Sequence, residues 1–364
     1  MAVSNIVHLI VKMEIIKEVR NKLHNNPEHS GMEEITREII YEFLSKNTKL
    51  YIEEFNGGIT ALYESGNTSE CIALRADFDA VSLPDGSAAH LCGHDGHTAA
   101  LLGVALMLGE IKPKRDVLLI FQPAEETGEG AKAMLDVLDK YNVSEVYGVH
   151  NLPGFDFGQV YTSFDTFACA SCGMTFLIKG RPAHAAYPES GASPLGAVTE
   201  LFNAIDESQH SDRFAKGTFA TLIGINAGQK AFGTSAENAE VWVTVRAQTD
   251  KELGRIKEYL EYVVKRSCEV DGLTYSVEIQ DEFPATVNDR ECAEKILKCC
   301  NGKLLDEPMR WSEDFGHYLN NKRSKGAFIG IGAGDRPDLH TKDYEYPENL
   351  LEPHINVFIN IINS

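Results

Sequence analysis

Short runs of β-branched and aliphatic residues alternate with amphipathic stretches along most of this chain. That alternation restricts it to an α/β architecture with a mostly parallel sheet. The strand-like runs fall at residues 71–76, 117–121, 146–149 and 327–330. Helical patterns fall at 13–23, 33–46, 98–108, 289–299 and 350–362, with Asp95 placed as the N-cap of the third and Gly109 as its stop. A different texture occupies 168–281: strand candidates at 173–179, 219–225, 239–247 and 274–279, with helices at 194–205 and 251–268. Two helices on a four-stranded antiparallel sheet make a small α+β module of the ferredoxin-like kind. The α/β pattern resumes after it, so the module reads as an insertion into a domain formed by 1–167 plus 282–364.

Composition excludes several partners. The chain has 364 residues and is 43% hydrophobic, enough for full cores in two domains. Its formal net charge is -20, which argues against a nucleic-acid backbone or an anionic membrane surface as partner. The apolar opening at 3–11 is broken by Ser4, Asn5 and His8 and is too short to span a bilayer. It reads as the lead-in to an amphipathic helix. With no secretory pattern, the eight cysteines are not a disulfide framework and indicate a reducing cytoplasm.

The chemistry-bearing residues cluster just beyond the carboxyl ends of the predicted strands. Asp77 and Asp79 follow the first, Glu125 and Glu126 the second after Pro123, His150 the third, and His340 lies in the loop after the last. That edge is where open α/β sheets bind ligands. A fifth segment, Cys92-Gly93-His94-Asp95, precedes a helix and brings a thiol and an imidazole together. Thiolate and imidazole suit zinc, and carboxylate suits zinc or manganese. A pair of metals about 3.5–4 Å apart needs several protein ligands and a shared water. Cys92, His94, Glu126, His150 and His340 supply them, and Glu125, beside a ligand, is left to act as general base.

Each of these residues alone has an ordinary explanation: a small buried thiol, a solvated acidic turn, a core or loop histidine. Their convergence on one sheet edge outweighs those explanations. His90 stays as a loop residue and His97 as a first-turn helix residue. Cys169 and Cys172 are a weak motif without a second pair, and Cys299–Cys300 mark the end of a helix.

From Arg20 to about Pro347 the chain resembles the aminoacylase and hippurate-hydrolase branch of the dinuclear metallo-amidohydrolase and carboxypeptidase family. The resemblance rests on RNKLHNNPEHSGMEEIT, RADFDA, LCGHDGHTAALLG, FQPAEETGEGA, GVHNLPG, GRPAHAAYPESGASP, SEDF and LHTKDYEYPENL, in that order. It implies a catalytic domain carrying an inserted lid that mediates homodimerisation. It also implies two divalent metals, zinc or manganese with cobalt or nickel as alternatives. The same five ligands follow, with Cys92 bridging where sister branches use aspartate, and Glu125 as base. Asp79 would orient a ligand, and the lid's His184 would reach the partner subunit's site. The implied reaction is hydrolysis of an N-acyl amino acid. The rivals are a dipeptidase or carboxypeptidase on the same metals, and a metal-binding relative without catalysis.

Three segments depart from that branch. The stretch between Asp79 and Cys92 is short, Gly233 stands where an asparagine that helps hold substrate is expected, and Arg310 and Trp311 before SEDF are bulky. Arg310 reads equally as a carboxylate clamp and as a surface arginine.

Overall fold

Residues 71–77 carry side chains that are buried on both faces, which is what a central strand of a helix-covered parallel sheet requires. A computed structural model of the chain describes residues 2–66, 70–210, 212–321 and 323–364, without the side chains of 2–10. Met1 lies outside the described residues. The chain divides into two compact units. The first comprises Met1–Phe167, Thr286–Glu307 and Glu313–Ser364, and the second Ala168–Ala285 and Pro308–Ser312.

The first unit holds an eight-stranded sheet. Its spatial order is Tyr51–Phe55, Gly58–Tyr63, Asp116–Gln122, Cys71–Asp77, Val143–Pro153, Lys325–Gly334, Val160–Thr162 and Lys303–Leu304. The four inner strands from Asp116–Gln122 to Lys325–Gly334 pair in parallel. The helix His94–Ile111 is buried along most of its length between the sheet and the helices Ala2–His24 and Leu351–Ile362. Leu101, Leu102, Val104 and Leu108 of that helix join Ile72, Leu74, Phe121, Ile329 and Phe358 in one core. The mostly parallel α/β architecture expected from the alternation is the one observed.

Local details differ from the sequence reading. The third helix starts at His94, four residues earlier than its apolar pattern suggests, and Gly93 at φ 99° is its N-cap. Asp95 therefore sits inside the first turn, where its carboxylate pairs with Arg20 at 2.9 Å and His24 at 2.8 Å. Gly109 does not stop this helix, which runs to Ile111 and ends on Lys112 in the left-handed region. His150 lies within a strand rather than after one, because the pairing with Lys325–Gly334 carries Val143–Pro153 further. The edge hairpin Tyr51–Phe55/Gly58–Tyr63 is an addition. It turns on Asn56 and Gly57, both with positive φ.

The second unit is a separate antiparallel sheet in the order Phe219–Ala227, Asn238–Ala247, Ala170–Lys179, Thr274–Phe283, with helices Leu195–His210 and Asp250–Asp271. Leu201, Ile205, Ile256 and Leu260 of these helices close over Phe176, Val241 and Val243 of the sheet in a core of their own. Thr249 caps the longer helix by accepting from the Glu252 N–H. No helix among the described residues is long and apolar enough to cross a membrane.

Candidate metal centre

The strand Cys71–Asp77 ends in a turn that aims two carboxylates differently. Asp79 Oδ1 accepts a hydrogen bond from His94 Nδ1 at 3.0 Å, while Asp79 Oδ2 accepts from Ser30 Oγ at 2.6 Å and from the Glu126 backbone N–H at 3.0 Å. Asp79 therefore ties the His94 ring to the turn that carries Glu126. With the Nδ1 proton committed, His94 Nε2 keeps its lone pair. It lies 3.8 Å from Glu126 Oε1 and 3.9 Å from Glu125 Oε2.

Gly93 makes the Cys92/His94 pair sterically possible. Its φ of 99° is open to glycine, and a Cβ there would stand 2.5 Å from Asn151 Oδ1. One helical turn on, a Cβ at Gly96 would stand 2.3 Å from the Tyr346 ring. Cys92 Sγ faces His150 Nε2 at 3.4 Å. His150 Nδ1–H donates to the Asn151 carbonyl at 2.8 Å, which again turns the Nε2 lone pair toward the thiol.

The second strand end carries the paired glutamates on a strained turn. Ala124 has φ 51°, unusual for a residue with a side chain, and it separates Gln122 from Glu125. Glu126 Oε1 reaches His340 Nε2 at 3.4 Å, and both form a cluster with Cys92. His340 is itself in the left-handed region at φ 62°, where its backbone N–H donates to the Leu91 carbonyl at 2.8 Å. That bond fixes the His340 loop to the residue before Cys92.

Glu125 is buried and anchored by the Asp314 backbone N–H, which donates to its Oε1 at 3.3 Å. Burial, then the carboxylates Glu313, Glu126 and Asp314, push its carboxyl well above the usual range. Burial likewise raises Glu313 to about 8 and Asp314 to about 6, against the opposing charge of Arg75. Arg75 is the counter-charge for this group. Its guanidinium contacts Asp77 at 2.6 Å, Asp314 at 2.7 Å and Glu313 at 3.0 Å.

The first unit thus brings Cys92, His94, Glu125, Glu126, His150 and His340 together in overlapping clusters, with Asp79 bonded to His94 and to the Glu126 N–H at their edge. Two polar atoms in the middle of this group, His94 Nε2 and Glu126 Oε1, are buried without a hydrogen-bond partner. Buried polar atoms left so are costly. A thiol, imidazoles with their lone pairs turned inward and a carboxylate oxygen free of hydrogen bonds form a donor set that fits divalent metal ions.

His184 lies in the second unit, exposed. Its Nδ1 accepts the Ala186 N–H at 3.0 Å, which leaves Nε2 as the protonated, donating nitrogen. Arg310 is also in the second unit, its guanidinium 5.9 Å from the Phe219 ring centroid. At Gly233 an added Cβ would meet nothing within 4 Å.

The sequence reading passed over several residues. His97 is buried and holds Asp77 Oδ1 at 2.7 Å and Asn151 Oδ1 at 2.5 Å. Both its nitrogens are engaged, so it braces the helix start rather than offering a free donor atom. Its position three residues after His94, on the same helix face, was the available signal. Arg75, Glu313 and Asp314 sit inside motifs already noticed, RADFDA and SEDF. Only tertiary contact reveals that Arg75 is the shared counter-charge of these carboxyl groups.

A family model described as peptidase family M20/M25/M40 matches residues 73–364. Hippurate hydrolase of Campylobacter jejuni is 27% identical over 358 residues, covering 92% of this chain and 92% of that protein. IAA-amino acid hydrolase ILR1-like 4 of Arabidopsis thaliana is 28% identical over 362 residues, covering 92% of this chain and 81% of that protein. Among solved structures, an aminohydrolase candidate from methicillin-resistant Staphylococcus aureus superposes with a TM-score of 0.86. It is 28% identical, and 97% of each chain is covered.

Proposed function

Because the chain belongs to peptidase family M20/M25/M40 and is a metal-dependent hydrolase of amide bonds, we propose that it cleaves N-acyl amino acids or similar small conjugates. The observation that carries this reading is the buried group of donors around His94 Nε2 and Glu126 Oε1, neither of which has a hydrogen-bond partner, with Glu125 beside it. Cys92, His94, Glu126, His150 and His340 would hold two divalent ions, with zinc or manganese the best match to thiolate, imidazole and carboxylate. Those ions would supply Lewis acidity, which polarises the scissile carbonyl and makes water easier to deprotonate.

Glu125 is the general base in this reading. Its Oε1 is fixed by the Asp314 N–H, and its Oε2 lies 3.9 Å from His94 Nε2, on the donor side. It takes a proton from the attacking water as the water oxygen bonds to the acyl carbon. It returns that proton to the amine nitrogen as the C–N bond breaks. An acid whose pKa is held up by burial and by neighbouring carboxylates is suited to both transfers. Asp79 positions His94 through the 3.0 Å hydrogen bond. His184 donates from Nε2 to the developing oxyanion of a partner subunit's site, the second unit serving as lid and dimerisation module in a cytoplasmic homodimer.

The names of the two relatives, hydrolases of hippurate and of IAA-amino acids, support a small acylated amino acid as substrate. The test is turnover of N-acetyl, N-benzoyl and unblocked dipeptide substrates after loading with zinc, manganese, cobalt or nickel. Preference for the blocked substrates supports the reading. Preference for free dipeptides makes the protein a dipeptidase, and inertness toward the whole panel in a fully loaded sample removes the catalytic reading.

A further inference from the structure

Far along the sequence from these donors, two adjacent cysteines end a helix. The helix Arg290–Cys299 closes with Cys300 as its C-cap, whose backbone N–H donates to the Ile296 carbonyl at 3.0 Å. The two sulfurs lie 3.5 Å apart, and Cys300 Sγ reaches the Val357 carbonyl of the C-terminal helix at 3.8 Å. Both residues are half-buried, whereas Cys71, Cys92, Cys169, Cys172, Cys268 and Cys292 are buried. The pair is thus the least buried thiol group of the molecule.

The spacing decides between two uses. Adjacent residues keep their Cα atoms about 3.8 Å apart across a trans peptide. Unstrained disulfides need about 4.4–6.8 Å, so direct S–S closure here is disfavoured. A soft centre bonded to two sulfurs at about 2.3 Å, with an angle of roughly 100° between the bonds, holds them about 3.5 Å apart. That is the separation already present. Reactivity agrees with the geometry: a hydrogen bond from Cys300 brings the Cys299 thiol to about 7 despite burial, with help from Lys295 and Ser364.

We infer that Cys299 and Cys300 form a two-thiol clamp for soft thiophilic centres, with monosubstituted trivalent arsenicals as the ligand class. The reaction is a condensation. Two As–S bonds form, the arsenic–oxygen double bond breaks, and the oxygen leaves as water with both thiol protons. Nothing is oxidised or reduced. The clamp rests on the pair alone and is independent of the amide-hydrolase reading.

The probe is phenylarsine oxide, titrated into the full-length protein loaded with zinc. Intact mass should show one phenylarsenic group gained with two hydrogens lost, and thiol counting should show two reactive thiols consumed. The adduct should survive excess monothiol and be released by a dithiol. Cys299→Ser and Cys300→Ser should each weaken uptake by about 100-fold, the advantage that the second attachment confers. A Cys169→Ser/Cys172→Ser double variant should bind as the parent does. Should Cys300→Ser fail to fold, peptide mapping of the parent adduct and Cys299→Ser decide the matter. Undiminished binding by Cys299→Ser, an adduct mapped to another cysteine, or no adduct at all overturns the inference.

Discussion

His94 gives one ring nitrogen to Asp79 at 3.0 Å and turns the other, buried and unpartnered, toward Glu126 at 3.8 Å. Asp79 in turn accepts the Glu126 backbone N–H, so one carboxylate sets the direction of two proposed ligands. Asp79→Ala should therefore lower metal affinity by about 10–100-fold while leaving the fold intact. Competition with a chromophoric chelator measures it, and an unchanged affinity would show that the His94 ring is oriented by something else.

Glu125→Gln separates chemistry from metal binding. It keeps the size of the side chain and its acceptor oxygen for the Asp314 N–H, but it cannot take a proton. Turnover should fall by about 10²–10⁴-fold, with metal content by elemental analysis unaltered. Near-normal turnover would place the base elsewhere.

Gly96 is a steric prediction. A methyl group there would overlap the Tyr346 ring, whose nearest atom lies 2.3 Å from the added Cβ. Gly96→Ala should cost about 1–3 kcal/mol of stability, read as a shift in denaturant midpoint. A neutral effect would mean that Tyr346, although buried, moves freely.

Gly233 tests recognition instead of stability. The surrounding space is open, so Gly233→Asn should leave the thermal midpoint unchanged. If the missing asparagine is what relatives use to hold substrate, this variant should lower KM for N-acyl amino acids several-fold at similar kcat. An unchanged KM would show that this chain holds its substrate by other groups.

Glu145 gives a pH prediction. Burial pushes its carboxyl up, but Lys295 at 2.6 Å, Tyr147 at 2.7 Å and Arg115 at 3.1 Å outweigh that and bring it down to about 2. A carboxyl whose folded pKa lies below its unfolded value near 4.5 contributes stability that is present above pH 4.5 and lost as pH falls toward 2. The side chain is 24% exposed, so solvent screening reduces the contribution to about 1–2 kcal/mol. Urea titrations of Glu145→Gln and the parent should differ by that amount at pH 7 and converge near pH 2. A constant difference across that range would rule the linkage out.

What was legible in the sequence follows from the range of the interactions concerned. The inner strands announce themselves because burial on both faces demands unbroken aliphatic runs, as at Ile72–Leu74 and Leu118–Ile120. Glu125 and Glu126 could be placed because Pro123 ends such a run next to them. The start of the third helix was misjudged because Gly93 takes a left-handed turn and Asp95 is drawn to Arg20 and His24, more than 70 positions away. Local capping rules hold no information about such partners. The hairpin over Asn56–Gly57 did carry a local signal, two turn residues open to positive φ, but it went unread beside the stronger parallel pattern. His97 was discounted for a similar reason. Its worth depends on Asp77 and Asn151, which only the folded sheet brings within reach.

The hydrogen bond from the His340 N–H to the Leu91 carbonyl joins the last proposed ligand in the chain to the neighbour of the first. A ribosome makes Cys92 and His94 early and His340 only after more than two hundred further residues, the whole second unit included. A nascent chain therefore carries an open-sided half-centre for most of its synthesis, with a thiol and an imidazole in search of a partner. The proposed set of ligands is complete only once His340 has been made, when translation is nearly finished. A truncation between Gly334 and His340 would keep every strand of the eight-stranded sheet and lose the last proposed ligand.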